Sequence, residues 1–173
     1  GGAFSNLNNG STITSVIMSE WLTTIGPGAF QYNTLLTWIN LPSTLTTIYA
    51  WAFYRCWLES ITIPDSVTSI GNGAFARNSN LKTVKIWTWL KDLTSGVFSE
   101  DAWIESVDLW NLEIIWAGNF NNTQITWLVI PDTVTTVYNW VFSNNSQLKT
   151  VKIGSWLKNL DNGVFYNSTW IEY

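Results

Sequence analysis

Histidine is absent from this chain. The usual proton acceptor of serine and cysteine nucleophiles is therefore missing, and so is a common zinc ligand. The one cysteine, Cys56, cannot form an internal disulfide and leaves the redox compartment open; its place in a repeat turn reads as a small buried thiol. Charge is sparse, with 8 basic and 12 acidic residues and a net −4, and no run of like charge is longer than the pair Glu100-Asp101. A nucleic-acid partner would want a clustered basic face. No run of 18 apolar residues offers a membrane-spanning helix. Gly71-Asn72-Gly73 lacks the Gly-Lys-Ser/Thr and the long helix that a phosphate loop needs. The scattered acids, such as Asp65 and Asp132 after proline, read as turn residues. Neither a cofactor nor a metal is expected, and the chain reads as a non-enzyme.

What the chain does have is a beat. Its eight phenylalanines, Phe4, Phe30, Phe53, Phe75, Phe98, Phe120, Phe142 and Phe165, are spaced 26, 23, 22, 23, 22, 22 and 23 residues apart. A fixed period in this range predicts stacked repeats. After each Phe comes a short polar segment and then apolar-x-x-apolar-x-apolar, as in Leu58/Ile61/Ile63, Leu81/Val84/Ile86 and Leu148/Val151/Ile153. Its last two members alternate, as a strand with one buried face requires. Pro42, Pro64 and Pro131 end that strand, because proline cannot donate to a ladder. A second apolar pair follows, for example Val67/Ile70 or Val134/Val137, and then Gly-x-Gly-Ala-Phe or a variant turns the chain back, read here as one short helical turn. Glycine stands two residues before Phe at 28, 73, 96, 118 and 163, where a tight bend or a positive φ favours it. A coil this short buries its apolar residues only against neighbouring coils. About seven units at the ~4.8 Å strand spacing give a rod roughly 30–35 Å long. The first unit is longer, with its extra residues placed in the loop Asn6–Ser11.

A longer period overlies the short one. Asn78-Ser79-Asn80-Leu81-Lys82-Thr83-Val84-Lys85-Ile86 matches Asn145-Ser146-Gln147-Leu148-Lys149-Thr150-Val151-Lys152-Ile153 at an offset of 67, so three-unit blocks have duplicated. Gly1-Gly2-Ala3-Phe4 reads as the tail of one unit and Trp170-Ile171-Glu172-Tyr173 as the start of another. The expectation is one solenoid over 1–173, with partial units at both ends, cut from a longer array.

The unit Leu58 to Phe75, Leu-x-Ser-Ile-Thr-Ile-Pro-Asp-Ser-Val-Thr-Ser-Ile-Gly-Asn-Gly-Ala-Phe, resembles the BspA-type leucine-rich repeat, and the resemblance covers essentially the whole chain. It implies a right-handed, mostly β solenoid with a parallel main sheet. It also implies an extracellular or cell-surface setting and a role in adhesion to host or neighbouring-cell proteins. The candidate binding face is the outward ladder of the main sheet: Trp38, Asn40, Ser60, Thr62, Thr83, Lys85, Ser106, Asp108, Trp127, Thr150 and Lys152. A glycan-binding module built on exposed tryptophan, or a stalk that spaces other domains, are the alternatives.

Thirteen tryptophans are the anomaly. None takes an inward Leu/Ile/Val column or replaces a Phe, whereas Trp51 and Trp140 align with six glycines in other copies and Trp87 aligns with Gly154. An indole in a glycine turn carries a Cβ penalty where φ is positive, and leaves up to ~200 Å² of ring to place. Two readings stand: exposed aromatic patches that mark a binding surface, or UGA codons that specify glycine and are rendered here as tryptophan.

Overall fold

The computed structural model describes residues 12–86 and 89–168. Fourteen short strands run through them: β1 (Ser15–Ile17), β2 (Thr24–Ile25), β3 (Trp38–Asn40), β4 (Thr47–Ile48), β5 (Ser60–Ile63), β6 (Ser69–Ile70) and β7 (Thr83–Ile86), then β8 (Asp92–Leu93), β9 (Ser106–Val107), β10 (Ile114–Ile115), β11 (Trp127–Ile130), β12 (Thr136–Val137), β13 (Thr150–Ile153) and β14 (Asn159–Leu160). Odd-numbered strands form the main face and even-numbered strands a second, narrower one. All pairing is parallel between successive coils, as in Ser60 opposite Thr83 and Ile63 opposite Ile86. The chain is thus a parallel-strand solenoid. Its main face is three ladders rather than one: β1-β3, β5-β7-β9 and β11-β13. The second face is two, β2-β4-β6 and β8-β10-β12-β14.

Alternation does what the sequence pattern requires of it. Along β5 and β7 the second and fourth residues are buried and the first and third are not. The buried columns join the phenylalanines in one core, where Leu58, Ile63, Leu81, Ile125 and Ile130 have no exposed surface. From Phe30 to Phe165 the rings form an unbroken stack, with centroids 5.2–5.8 Å apart and planes within 15° of parallel. Each such ring pair adds about 0.5–1.5 kcal/mol beyond area burial. In the last described coil, Ile153 and Leu160 are exposed, since no described coil covers them.

The expected helical turn before Phe is not a helix. None occurs among the described residues, and the segment is a run of turns. Every second N–H points to the next coil: Gly28 to the Ala50 carbonyl (3.0 Å), Phe30 to Ala52 (2.7 Å) and Tyr32 to Tyr54 (2.8 Å). The N–H groups between them bond back three residues, Ala29 to Gly26 and Gln31 to Gly28, both at 3.2 Å. A helix would keep all of these bonds internal. Here every other peptide is turned toward the neighbouring coil instead. Positive φ accordingly recurs two residues before Phe (Gly28, Trp51, Gly73, Gly96, Gly118, Trp140, Gly163) and two after it (Tyr32, Arg55, Arg77, Glu100, Asn122, Asn144, Asn167). The expectation of positive φ at the glycines holds. The expected Asn6–Ser11 loop lies outside the described residues.

Three residues after each Phe stands a buried polar column that the apolar pattern does not announce: Asn33, Cys56, Asn78, Asp101, Thr123, Asn145 and Ser168. These side chains satisfy backbone groups stranded where the turn meets the main strand. Asn145 accepts from the Thr123 N–H (2.6 Å) and donates to the Phe120 carbonyl (3.0 Å). The Ser168 hydroxyl donates to the Phe142 carbonyl at 2.9 Å. The Cys56 thiol does the same to Phe30 at 3.2 Å. Burial pushes that thiol up to about 12, against a smaller opposing pull from the Asn33 backbone, and the reading of Cys56 as a small buried thiol holds.

Candidate binding surface

The main face lies open to solvent. Trp38, Ser60, Thr62, Lys85, Ser106, Trp127, Thr150 and Lys152 are exposed, and Asn40, Thr83 and Asp108 are half-buried. Parallel pairing sets Thr83 between Ser60 and Ser106, Lys85 beside Thr62, and Lys152 beside Val129. Asn40 is partly committed, because its side-chain oxygen accepts from the Met18 N–H at 2.8 Å. Asp108 accepts from the Trp110 N–H at 3.1 Å, which curls the chain after β9.

The ladder breaks between β9 and β11, and there the face is notched. A cavity of about 250 Å³ is lined by Ser106, Asp108, Trp110, Trp127, Val129 and Pro131, among others. A missing residue accompanies it. The apolar position that begins the strand segment lies six residues before the turn residue in other coils, as from Leu58 to Pro64 or Ile125 to Pro131, but only five before it from Ile104 to Leu109. In this coil β9 is two residues long, and β11 has no ladder partner on that side. Three candidate residues, Ser106, Asp108 and Trp127, are thus gathered into one concavity, and the rest stay spread along the face.

A second cleft, of about 420 Å³, was not foreseen. It is lined by Thr34, Arg55, Cys56, Trp57, Arg77, Ser79 and Glu100 on the phenylalanine corner. Both arginines of the chain sit there in adjacent coils. Arg55 lies 5.8 Å from the ring centres of both Tyr32 and Tyr54, and Arg77 pairs with Glu100 at 2.9 Å. The shared offset of Tyr32, Arg55, Arg77 and Glu100 from their phenylalanines was the signal available in the sequence. Among the described residues no group of three His, Cys, Asp or Glu could hold a metal ion, and no helix is long and apolar enough to cross a membrane.

Parallel coils of 22–23 residues, leucine and isoleucine columns and a buried asparagine-containing column define a leucine-rich-repeat solenoid. The model of the BspA type leucine rich repeat region matches residues 3–115 and 113–173 in six copies. The chain belongs to that family. Among solved structures it is similar to a leucine-rich repeat protein from Eubacterium ventriosum (24% identity, TM-score 0.83, covering 94% of this chain and 45% of that one). It is also similar to a leucine-rich repeat protein from Bacteroides ovatus (22% identity, TM-score 0.61, covering 92% and 54%). A third similar structure is the pneumococcal vaccine antigen PcpA (17% identity, TM-score 0.60, covering 92% and 50%). At these identities the likeness shows the fold alone, and the chain spans about half the length of each structure. No curated protein sequence matches it.

Proposed function

We propose that this chain is a non-enzymatic, protein-binding segment of a surface-located leucine-rich-repeat protein, engaging a host or neighbouring-cell protein through its main face. One observation carries the reading: seven successive coils present outward side chains on a single uncovered face. These side chains are mostly small and polar, with lysines at 85 and 152. Broad faces of this kind are what repeat proteins commonly bind with. Support for the surface setting comes from family membership and from the similarity to PcpA, which is described as a vaccine antigen. The test is binding to immobilised matrix and cell-surface proteins. A variant carrying Lys85→Glu, Lys152→Glu, Trp38→Ala and Trp127→Ala should lose at least tenfold in affinity while keeping its thermal midpoint. Undiminished binding refutes the assignment of the face.

A second reading, glycan binding, draws on the notch, where Trp110 and Trp127 are 68% and 61% exposed and offer ring faces to a sugar. It stands or falls with those two indoles, and a glycan array without hits removes it.

A further inference from the structure

We propose that Trp51 and Trp140 stand at glycine positions: the native protein carries glycine there, from UGA codons, and these two indoles belong to a reading of UGA as tryptophan. The structure turns this from a matter of alignment into one of backbone geometry. Two residues before Phe, all seven described coils hold φ between 57° and 71°. Five have glycine there, and the other two have Trp51 and Trp140, with no third residue type. Two residues after Phe a similar φ is held by Tyr, Arg, Glu and Asn, so what sets Trp51 and Trp140 apart is a position otherwise given only to glycine, the residue that meets no Cβ penalty there. The indoles of Trp51 and Trp140 lie across the next coil's glycine, so that a Cβ added at Gly73 would meet Trp51 at 2.8 Å and one at Gly163 would meet Trp140 at 3.1 Å. Asn139-Trp140-Val141-Phe142 and Asn162-Gly163-Val164-Phe165 differ only in Trp against Gly.

Burial is the second, independent mark. All eleven described tryptophans are exposed, from 37% at Trp116 to 90% at Trp21, and none is among the buried core residues. Tryptophan is on average a highly buried residue. The third mark is the duplicated block. Lys85-Ile86-Trp87-Thr88-Trp89-Leu90 copies Lys152-Ile153-Gly154-Ser155-Trp156-Leu157, and a Cβ at Gly154 would lie 2.5 Å from the Pro131 carbonyl carbon and 2.6 Å from the Asp132 nitrogen. Trp87 itself lies outside the described residues. Trp116 is the position where an indole fits best, sharing its column with Tyr49 and Tyr138 and stacking on Tyr138 at 4.2 Å. Trp110 and Trp127 share no column with a glycine, so the notch and both binding readings stand apart from this proposal.

The experiment has two readouts. Peptide mass spectrometry of the protein from its native source, together with the gene's codons at 51 and 140, should show UGA and the mass of glycine; UGG, or the mass of tryptophan, overturns the proposal. Separately, a recombinant chain with Trp51→Gly and Trp140→Gly should melt about 4 °C or more above the tryptophan form. An equal or lower midpoint overturns the geometric premise. Neither readout depends on whether the main face binds a protein.

Discussion

Asp101 is the one carboxylic acid in the buried polar column, and it is built for half of the column's task. Its Oδ1 accepts from the Asn78 N–H at 2.6 Å, as an asparagine oxygen would, but Oδ2 is buried with no partner. In the coils that carry asparagine the corresponding atom is a donor: the Asn78 amide reaches the Phe53 carbonyl at 2.9 Å and also bonds Phe75, and the Asn145 amide reaches Phe120. Burial drives the carboxyl well above its ordinary range, with the nearby Glu100 charge adding to the rise and the Asn78 N–H opposing it. A raised pKa in the folded chain means that the neutral acid is the form compatible with the fold. The associated stability is full below the unfolded value of about 3.9 and is lost as pH climbs toward the folded value, at up to about 1.4 kcal/mol per unit. Asp101→Asn keeps the acceptor and supplies the missing donor. Satisfying a buried group of this kind is worth about 1–3 kcal/mol, which corresponds to a rise in thermal midpoint of about 2–10 °C at pH 7. Thermal unfolding by circular dichroism between pH 4 and pH 8 would read it. The parent should lose stability as pH rises from 4, the variant should lose less, and the two should converge near pH 4. A variant less stable than the parent at pH 7, or parallel pH profiles, would refute the reasoning.

Three further outcomes follow from the same packing. Phe98→Ala, in the middle of the ring stack, should cost about 3–5 kcal/mol and loosen amide protection in the coils on both sides; unchanged hydrogen exchange in those coils would contradict the stack. Cys56 should resist thiol reagents at pH 8 in the folded chain and react on denaturation, because burial keeps it protonated; labelling of the native chain at the rate of a free thiol would contradict its placement. Gly154→Ala should destabilise by about 1–3 kcal/mol in chemical denaturation, since its Cβ meets the backbone of Pro131, and a neutral effect would show that the two coils are further apart.

Periodicity made most of this fold legible. The phenylalanine register, the inward columns and the positive φ before each Phe all follow from spacing and from glycine's conformational freedom. The buried polar column was hidden, because Asn33, Cys56, Asp101, Thr123 and Ser168 share no hydrophobicity, only a small size and a group able to bond a stranded amide or carbonyl. The turn differs from the expected helix because only alternate N–H groups bond back three residues, and the bonds that distinguish it run to another coil, which spacing along one unit does not display. The notch escaped notice for a numerical reason. Phe53 to Phe75, Phe98 to Phe120 and Phe120 to Phe142 are all 22 residues, but the short unit drops its residue before the strand in the first and third and after it in the second. Equal spacing between phenylalanines concealed which side of the coil was cut.

The measurement that goes most directly to the proposed role is a hydrogen-exchange footprint of the chain with a bound matrix or cell-surface protein. Protection confined to the main-face strands and the notch at Ser106–Pro131 is the predicted result. Protection on the second face or on the phenylalanine corner, or none at saturating partner, would contradict it.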